Sequence, residues 1–174
     1  FSCRQQKLTF DKNSNTLRLA ISGDGKLIVS GKNKHSFLQI YKLNSWEKVY
    51  DVFLENDKVS ALDISPDSKY LAVSKDDTVE IITLADYQSF GEIKNRANRD
   101  SIVFSSDTKL LALGYAGGVF KMGYAGSICE IYNMSDLSLI SKFTVPDKYK
   151  AGFLYKSVDR AKPLYFDKKK NKLY

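Results

Sequence analysis

Apolar residues come along the chain in short alternating runs, each closed by a cluster of Gly, Asp, Asn, Ser or Lys, and that period-two pattern predicts β-strands. The runs fall into three sets of four. The first set covers 17–21, 26–30, 37–41 and 48–53, the second 59–64, 70–73, 78–82 and 88–93, the third 101–104, 110–113, 128–132 and 139–143. No stretch sustains an apolar stripe at the ~3.6-residue spacing of a helix, so helix is expected to be at most a minor component of an all-β chain.

A turn signature recurs between the first two runs of every set. Ser22, Asp24 and Lys26 precede one apolar run, Ser65, Asp67 and Lys69 a second, and Ser105, Asp107 and Lys109 a third. The aspartates lie 43 and 40 residues apart, within the period of about 40–45 expected of a four-stranded propeller blade. Pro66 suits the turn because its fixed φ fits the first central position and no ladder donor is lost there. Asp, Ser and Gly beside it supply side-chain-to-backbone bonds or positive φ.

These residues resemble the WD40-repeat family of β-propellers. The run Val59-Ser60-Ala61-Leu62-Asp63-Ile64-Ser65-Pro66-Asp67-Ser68-Lys69-Tyr70-Leu71-Ala72 is similar to that family's first strand, turn and second strand, and Asp76-Asp77-Thr78-Val79-Glu80-Ile81-Ile82-Thr83-Leu84 to its third. Ile82-Thr83, Tyr41-Lys42 and Tyr132-Asn133 stand where the family's Trp-Asp pair would be, and no Gly-His dipeptide precedes any first strand. The hydrogen-bonded tetrad of the typical repeat is therefore not encoded. The resemblance covers about residues 17–143 and implies four-stranded antiparallel blades that act as a platform for protein partners.

The expected organisation is an outer strand of a preceding blade plus a connection in 1–16, blades in 17–53, 54–93 and 94–143, and a basic connection with the start of a following blade in 144–174. Residues 6–10 read as the outer strand and 164–174 as the first two strands of the following blade. Three blades do not close a ring that needs roughly four to eight, so either the chain is expected to continue at both ends or a second chain completes the ring.

Charge changes this picture only at one end. Of the 27 Lys and Arg and 20 Asp and Glu, residues 145–174 hold nine basic and three acidic side chains, which leaves the rest of the chain nearly neutral. Electrostatic attraction to an anionic partner is assigned to that stretch, chiefly Lys168, Lys169, Lys170 and Lys172. Two cysteines, Cys3 and Cys129, with no Cys-x-x-Cys spacing argue against a disulfide scaffold or zinc module and for a reduced intracellular setting, cytoplasmic by default, with cytoskeletal or nuclear placement left open. No apolar run is long enough for a membrane span.

Chemistry is sparse. His35, the single histidine, sits in a polar loop and reads as solvated. Cys129 alternates with Ile128 and Glu130 and reads as a small buried apolar residue. Gly118 to Gly123 has the glycine spacing of a phosphate loop, but Tyr124-Ala125 replace the required Lys and Ser or Thr. Asn133-Met134-Ser135 is a formal glycosylation acceptor that, with no secretory leader expected, reads as a chance match. Asp63 is the carboxylate that the first strands offer toward a central channel. No catalytic residue, cofactor or metal is expected, and an enzyme is not.

One irregularity breaks the repeat. From turn aspartate to the Trp-equivalent position is 17, 15 and 25 residues in the three sets, so the third carries an insertion around the duplicated Gly114-Tyr115-Ala116-Gly117 and Gly123-Tyr124-Ala125-Gly126. Family topology puts it on the same end of the molecule as the 94–99 loop. The candidate partner-binding set is Lys94, Arg96, Arg99, Tyr115, Phe120, Lys121 and Tyr124, because Arg and Tyr are over-represented among residues that carry binding energy. The expected function is a non-catalytic scaffold that binds other proteins as a subunit of an intracellular assembly. The alternative is a nucleic-acid- or anionic-surface-associated subunit acting through the basic C-terminal stretch, for which affinity would fall steeply with salt.

Overall fold

The protein's structure, a computed structural model, describes residues 17–32, 37–53, 58–75, 78–94, 101–115, 119–120, 123–124, 127–145, 166–167 and 172–173. Where the sequence alternates, the backbone is extended. Strands β1 (Leu17–Ile21), β2 (Leu27–Lys32), β3 (Phe37–Lys42) and β4 (Lys48–Phe53) form an antiparallel sheet in chain order, as do β5 (Ala61–Ile64), β6 (Tyr70–Lys75), β7 (Thr78–Thr83) and β8 (Ser89–Lys94). In the third sheet β9 (Ser101–Phe104) and β10 (Leu110–Tyr115) are joined to β13 (Ser127–Asn133) and β14 (Leu139–Val145) across a separate hairpin of β11 (Val119–Phe120) and β12 (Gly123–Tyr124). A last pair, β15 (Phe166–Asp167) and β16 (Lys172–Leu173), is antiparallel as well. The described residues contain no helix.

The second strand of each sheet runs two residues past the apolar run that predicts it. Ladder bonds belong to the backbone, and the pairing Gly31↔Leu38, Lys75↔Thr78 and Tyr115↔Ile128 continues after the side-chain pattern has ended. Val59 and Ser60 precede β5 instead of opening it, yet Val59 is fully buried and the Ser60 N–H donates to the Ser74 carbonyl at 3.0 Å.

The Ser-x-Asp-x-Lys signature folds the same way three times. The N–H groups of Gly25, Ser68 and Thr108 donate back to Ser22, Ser65 and Ser105 at 2.9, 2.8 and 3.0 Å, closing tight turns with those three residues at φ 69°, 60° and 62°. In the second copy, the Ser65 hydroxyl donates to Asp67 Oδ1 at 2.7 Å and accepts the Lys69 and Tyr70 N–H groups at 3.1 and 2.9 Å. Asp67 Oδ1 also accepts the Lys69 N–H at 3.2 Å. Ser22 and Ser105 repeat the bond to the aspartate at 2.6 Å each. The serine is buried in all three copies, so its hydroxyl satisfies backbone donors that water does not reach. Bonded serine and backbone donors hold the Asp24 and Asp107 carboxyls below their usual range.

Two apolar seams join the sheets. Val29, Leu38 and Ile40 of the first pack with Val59, Ile64, Leu71, Val73, Ile82 and Leu84 of the second. Ala61, Ala72, Val79, Ile81 and Ile93 on the opposite face of the second pack with Ile102, Phe104, Leu111, Leu113, Tyr132 and Met134 of the third. A sheet covered on both sides needs apolar residues on both, which is why Leu71, Ala72, Val73 and Ser74 of β6 are buried in succession. First strands sit side by side, β1 next to β5 and β5 next to β9.

Glycine lets two neighbouring turns approach closely. A Cβ on Gly23 would lie 2.1 Å from the Pro66 carbonyl oxygen in the neighbouring turn. Gly23→Ala is expected to force the two turns apart at about 1–2 kcal/mol, read by urea unfolding against Gly25→Ala, where the added carbon meets nothing within 4 Å but the backbone is strained by its φ of 69°.

Candidate interaction surface

An antiparallel four-strand meander puts its first and third turns at one end and its second turn, with the connection to the next sheet, at the other. The two ends differ in construction. At the first, each turn is tied to its neighbour: Leu43, Leu84 and Met134 donate to the Lys26, Lys69 and Lys109 carbonyls at 2.8, 2.8 and 2.9 Å. The Asp24 N–H reaches Ser68 Oγ of the next sheet at 3.1 Å.

The opposite end carries the described candidates Lys94 and Tyr115, at the ends of β8 and β10. The register pairs Ser101 at the start of β9 with Gly114 near the end of β10. The loop bearing Arg96 and Arg99 therefore ends on the strand beside the one from which the insertion departs. Both ends of the insertion are fixed, because Tyr115 pairs with Ile128. Between them β11 and β12 pair Val119 with Tyr124 and Phe120 with Gly123. The insertion thus folds as a hairpin of its own instead of a longer β10 and β13.

Lys94 ends β8, is exposed and pairs with Thr78. Tyr115, Phe120 and Tyr124 are placed by their backbone in β10, β11 and β12. Arg96, Arg99 and Lys121 lie outside the described residues, as do His35, Cys3 and the basic Lys168, Lys169 and Lys170, while Lys172 opens β16. Sheet pairing sets Ser101, which follows the 95–100 segment, beside Gly114 next to the insertion; side-chain positions for this set are described only at Lys94.

Of the remaining candidates, Cys129 is buried, as its alternation predicts. The Asn133 side chain accepts the Ser135 N–H at 3.0 Å and takes part in the turn. Tyr132, at a Trp-equivalent position, donates to Glu130 Oε2 at 2.9 Å. Tyr41 likewise donates to Gln39 Oε1 at 3.1 Å, so these two repeats use a bond along one strand at that position. Glu130, itself buried, also meets Lys142 Nζ at 2.9 Å. Asp63 spans a seam: its Oδ2 accepts the Phe104 N–H at 2.9 Å and its Oδ1 the Ile64 N–H at 3.0 Å. Burial lifts its carboxyl to about 6 despite both donors. Among the described residues no three His, Cys, Asp or Glu side chains cluster as a metal site, and no helix is long and apolar enough to cross a membrane.

Sequence reasoning missed the third turns. Trp46, Tyr87 and Leu137 occupy one repeat position there, all with left-handed backbone at φ 58°, 60° and 56°. Their common signal is a fixed offset of five residues from Tyr41, Ile82 and Tyr132. Tyr87 stacks on Tyr50 of the preceding sheet at 4.8 Å between centroids. Leu137 fills the space over Gly91, where a Cβ would lie 2.6 Å from its Cδ1.

Three four-stranded antiparallel blades side by side, with first strands adjacent, define a WD40-like β-propeller segment. No family model and no curated protein sequence matches the chain. Solved structures share the fold. A crystal structure of the RRP9 WD40 repeats superimposes with a TM-score of 0.66 at 17% identity, over 79% of this chain and 41% of that one. The hydrazine synthase of Kuenenia stuttgartiensis gives 0.65 at 15% identity, over 82% and 39%. The chain spans about two-fifths of the length of each.

Proposed function

We propose that the protein is a non-catalytic scaffold that binds other proteins within a larger intracellular assembly, and that a partner docks on the end carrying the insertion. The observation behind this reading is the Ser101↔Gly114 pairing, which sets the residue that follows the 95–100 segment beside the strand from which the insertion departs. The fold supports it as well. Two packed seams make a rigid wall, and binding loops on a rigid wall lose little entropy when they dock. Cationic groups around aromatics suit an acidic protein segment that also supplies an apolar anchor.

Truncating Phe120 or Tyr124 is expected to cost about 1–2 kcal/mol of partner affinity each. The double variant Phe120→Ala, Tyr124→Ala should fold normally by circular dichroism and lose partners from a quantitative pull-down out of native extract. An unchanged partner set with the fold intact refutes this site.

A further inference from the structure

Each blade ends on an outer strand whose free edge turns every second N–H and C=O away from its sheet, and among the described residues no strand pairs with the outer edge of β4, β8 or β14. Proteins commonly guard such edges with charge. β4 carries Lys48 and Asp51, bonded to each other, and β8 carries the exposed Glu92 and Lys94. β14 is built differently. The register sets Lys48, Ser89 and Leu139 at one position, opposite Tyr41, Ile82 and Tyr132, and the ladder then skips Val49, Phe90 and Ile140. The first of these positions is exposed in all three blades, and only β14 fills it with an apolar residue. Leu139 is 51% exposed and Ile140 56%, against 39% for Phe90 and half-burial for Val49. Phe143 is exposed too, but at the position of Val52 and Ile93, which pack into the seams.

Charge distinguishes the three edges further. Opposite Gln39, Glu80 and Glu130 stand Asp51, Glu92 and Lys142. An acidic segment laid along β4 or β8 therefore meets a carboxylate, and along β14 an ammonium. Lys142 Nζ lies 2.9 Å from the buried Glu130 carboxylate, yet its side chain is 51% exposed. A second copy of the chain is a poor occupant, because two copies of net charge +7 repel each other. Val145 pairs with Ser127, the residue that follows the insertion, so β14 starts at Leu139 and ends at the insertion about 20 Å away, at ~3.3 Å per residue. We propose, resting on the scaffold reading above, that the acidic partner segment continues from the insertion along β14 as an added strand. Its backbone bonds to the open edge, a carboxylate lies beside Lys142, and an apolar side chain covers Leu139 and Ile140.

The probe is an array of synthetic peptides of seven residues, the length of β14, alternating Asp or Glu with Val, Ile or Leu and titrated against the full chain by fluorescence anisotropy. The tightest binder is then methylated on one or the other alternating set of its backbone nitrogens, which needs no variant of the protein. An added strand bonds along one of its edges, so one methylated form is expected to lose affinity about tenfold or more and the other to keep it. Leu139→Asp with Ile140→Asp, both at exposed positions, should weaken the unmodified peptide by a similar factor with the circular dichroism unchanged. An array without a binder overturns the proposal, as do equal affinities of the two methylated forms. A peptide that loses affinity on Phe120→Ala with Tyr124→Ala but not on the two aspartates overturns strand addition and leaves docking at the insertion standing.

Discussion

Leu71→Ala is expected to destabilise the protein by about 2–5 kcal/mol, the range for emptying a fully buried leucine site. Leu71 is 0% exposed and belongs to the seam shared by the first two blades. The removed atoms contact side chains from both, so neither sheet relaxes into the space without moving against the other. Leu111 holds the same position at the next seam and should behave alike. Ile21→Ala, on the open flank, should cost well under 1 kcal/mol, as is usual for surface changes. Equilibrium denaturation of the three variants checks this. Equal losses at Leu71 and Ile21 would mean that the seams do not carry the stability.

The second large effect is a dependence on pH. The Asp63 carboxyl is raised to about 6, first by burial, against the lowering by the Phe104 and Ile64 N–H groups. A carboxyl raised on folding contributes stability that is complete below its unfolded value near 4 and is lost as pH climbs through 6. Residual solvent access tempers the size, leaving about 2 kcal/mol between pH 4 and pH 7.5. The exposed Asp24, Asp86, Asp107 and Asp136 are shifted down, so their contributions run the other way and fade as pH drops below the usual carboxylate range. Comparison with Asp63→Asn cancels them. The variant gives up one acceptor at every pH, but relative to the wild type it should gain about 2 kcal/mol on going from pH 4 to pH 7.5. A difference that stays flat over that interval contradicts the assignment.

What the sequence reveals and what it hides divide along sequence distance. The Ser-Asp-Lys turns are legible because their bonds span at most five residues, as between Ser65 and Tyr70. Strand pattern and blade period are legible for the same reason. The meander also follows from the repeat, so the adjacency of Ser101 and Gly114 is foreseeable before the register shows it. Seam chemistry is not. Asp63 finds Phe104 at a separation of 41 residues, and Gly23 lies under Pro66 only once two turns stack. Trp46, Tyr87 and Leu137 adopt left-handed backbone without the Gly or Asn that signals it, and Tyr87 and Leu137 do so in contact with Tyr50 and Gly91 of the preceding blade.

The most direct test of the scaffold reading is amide hydrogen exchange on the chain alone and on the chain captured with its native partner. Protection is expected to rise across 94–101 and 114–127, with the turns at Ser22, Ser65 and Ser105 unchanged. Added protection confined to those turns, with none at the insertion, would contradict the account.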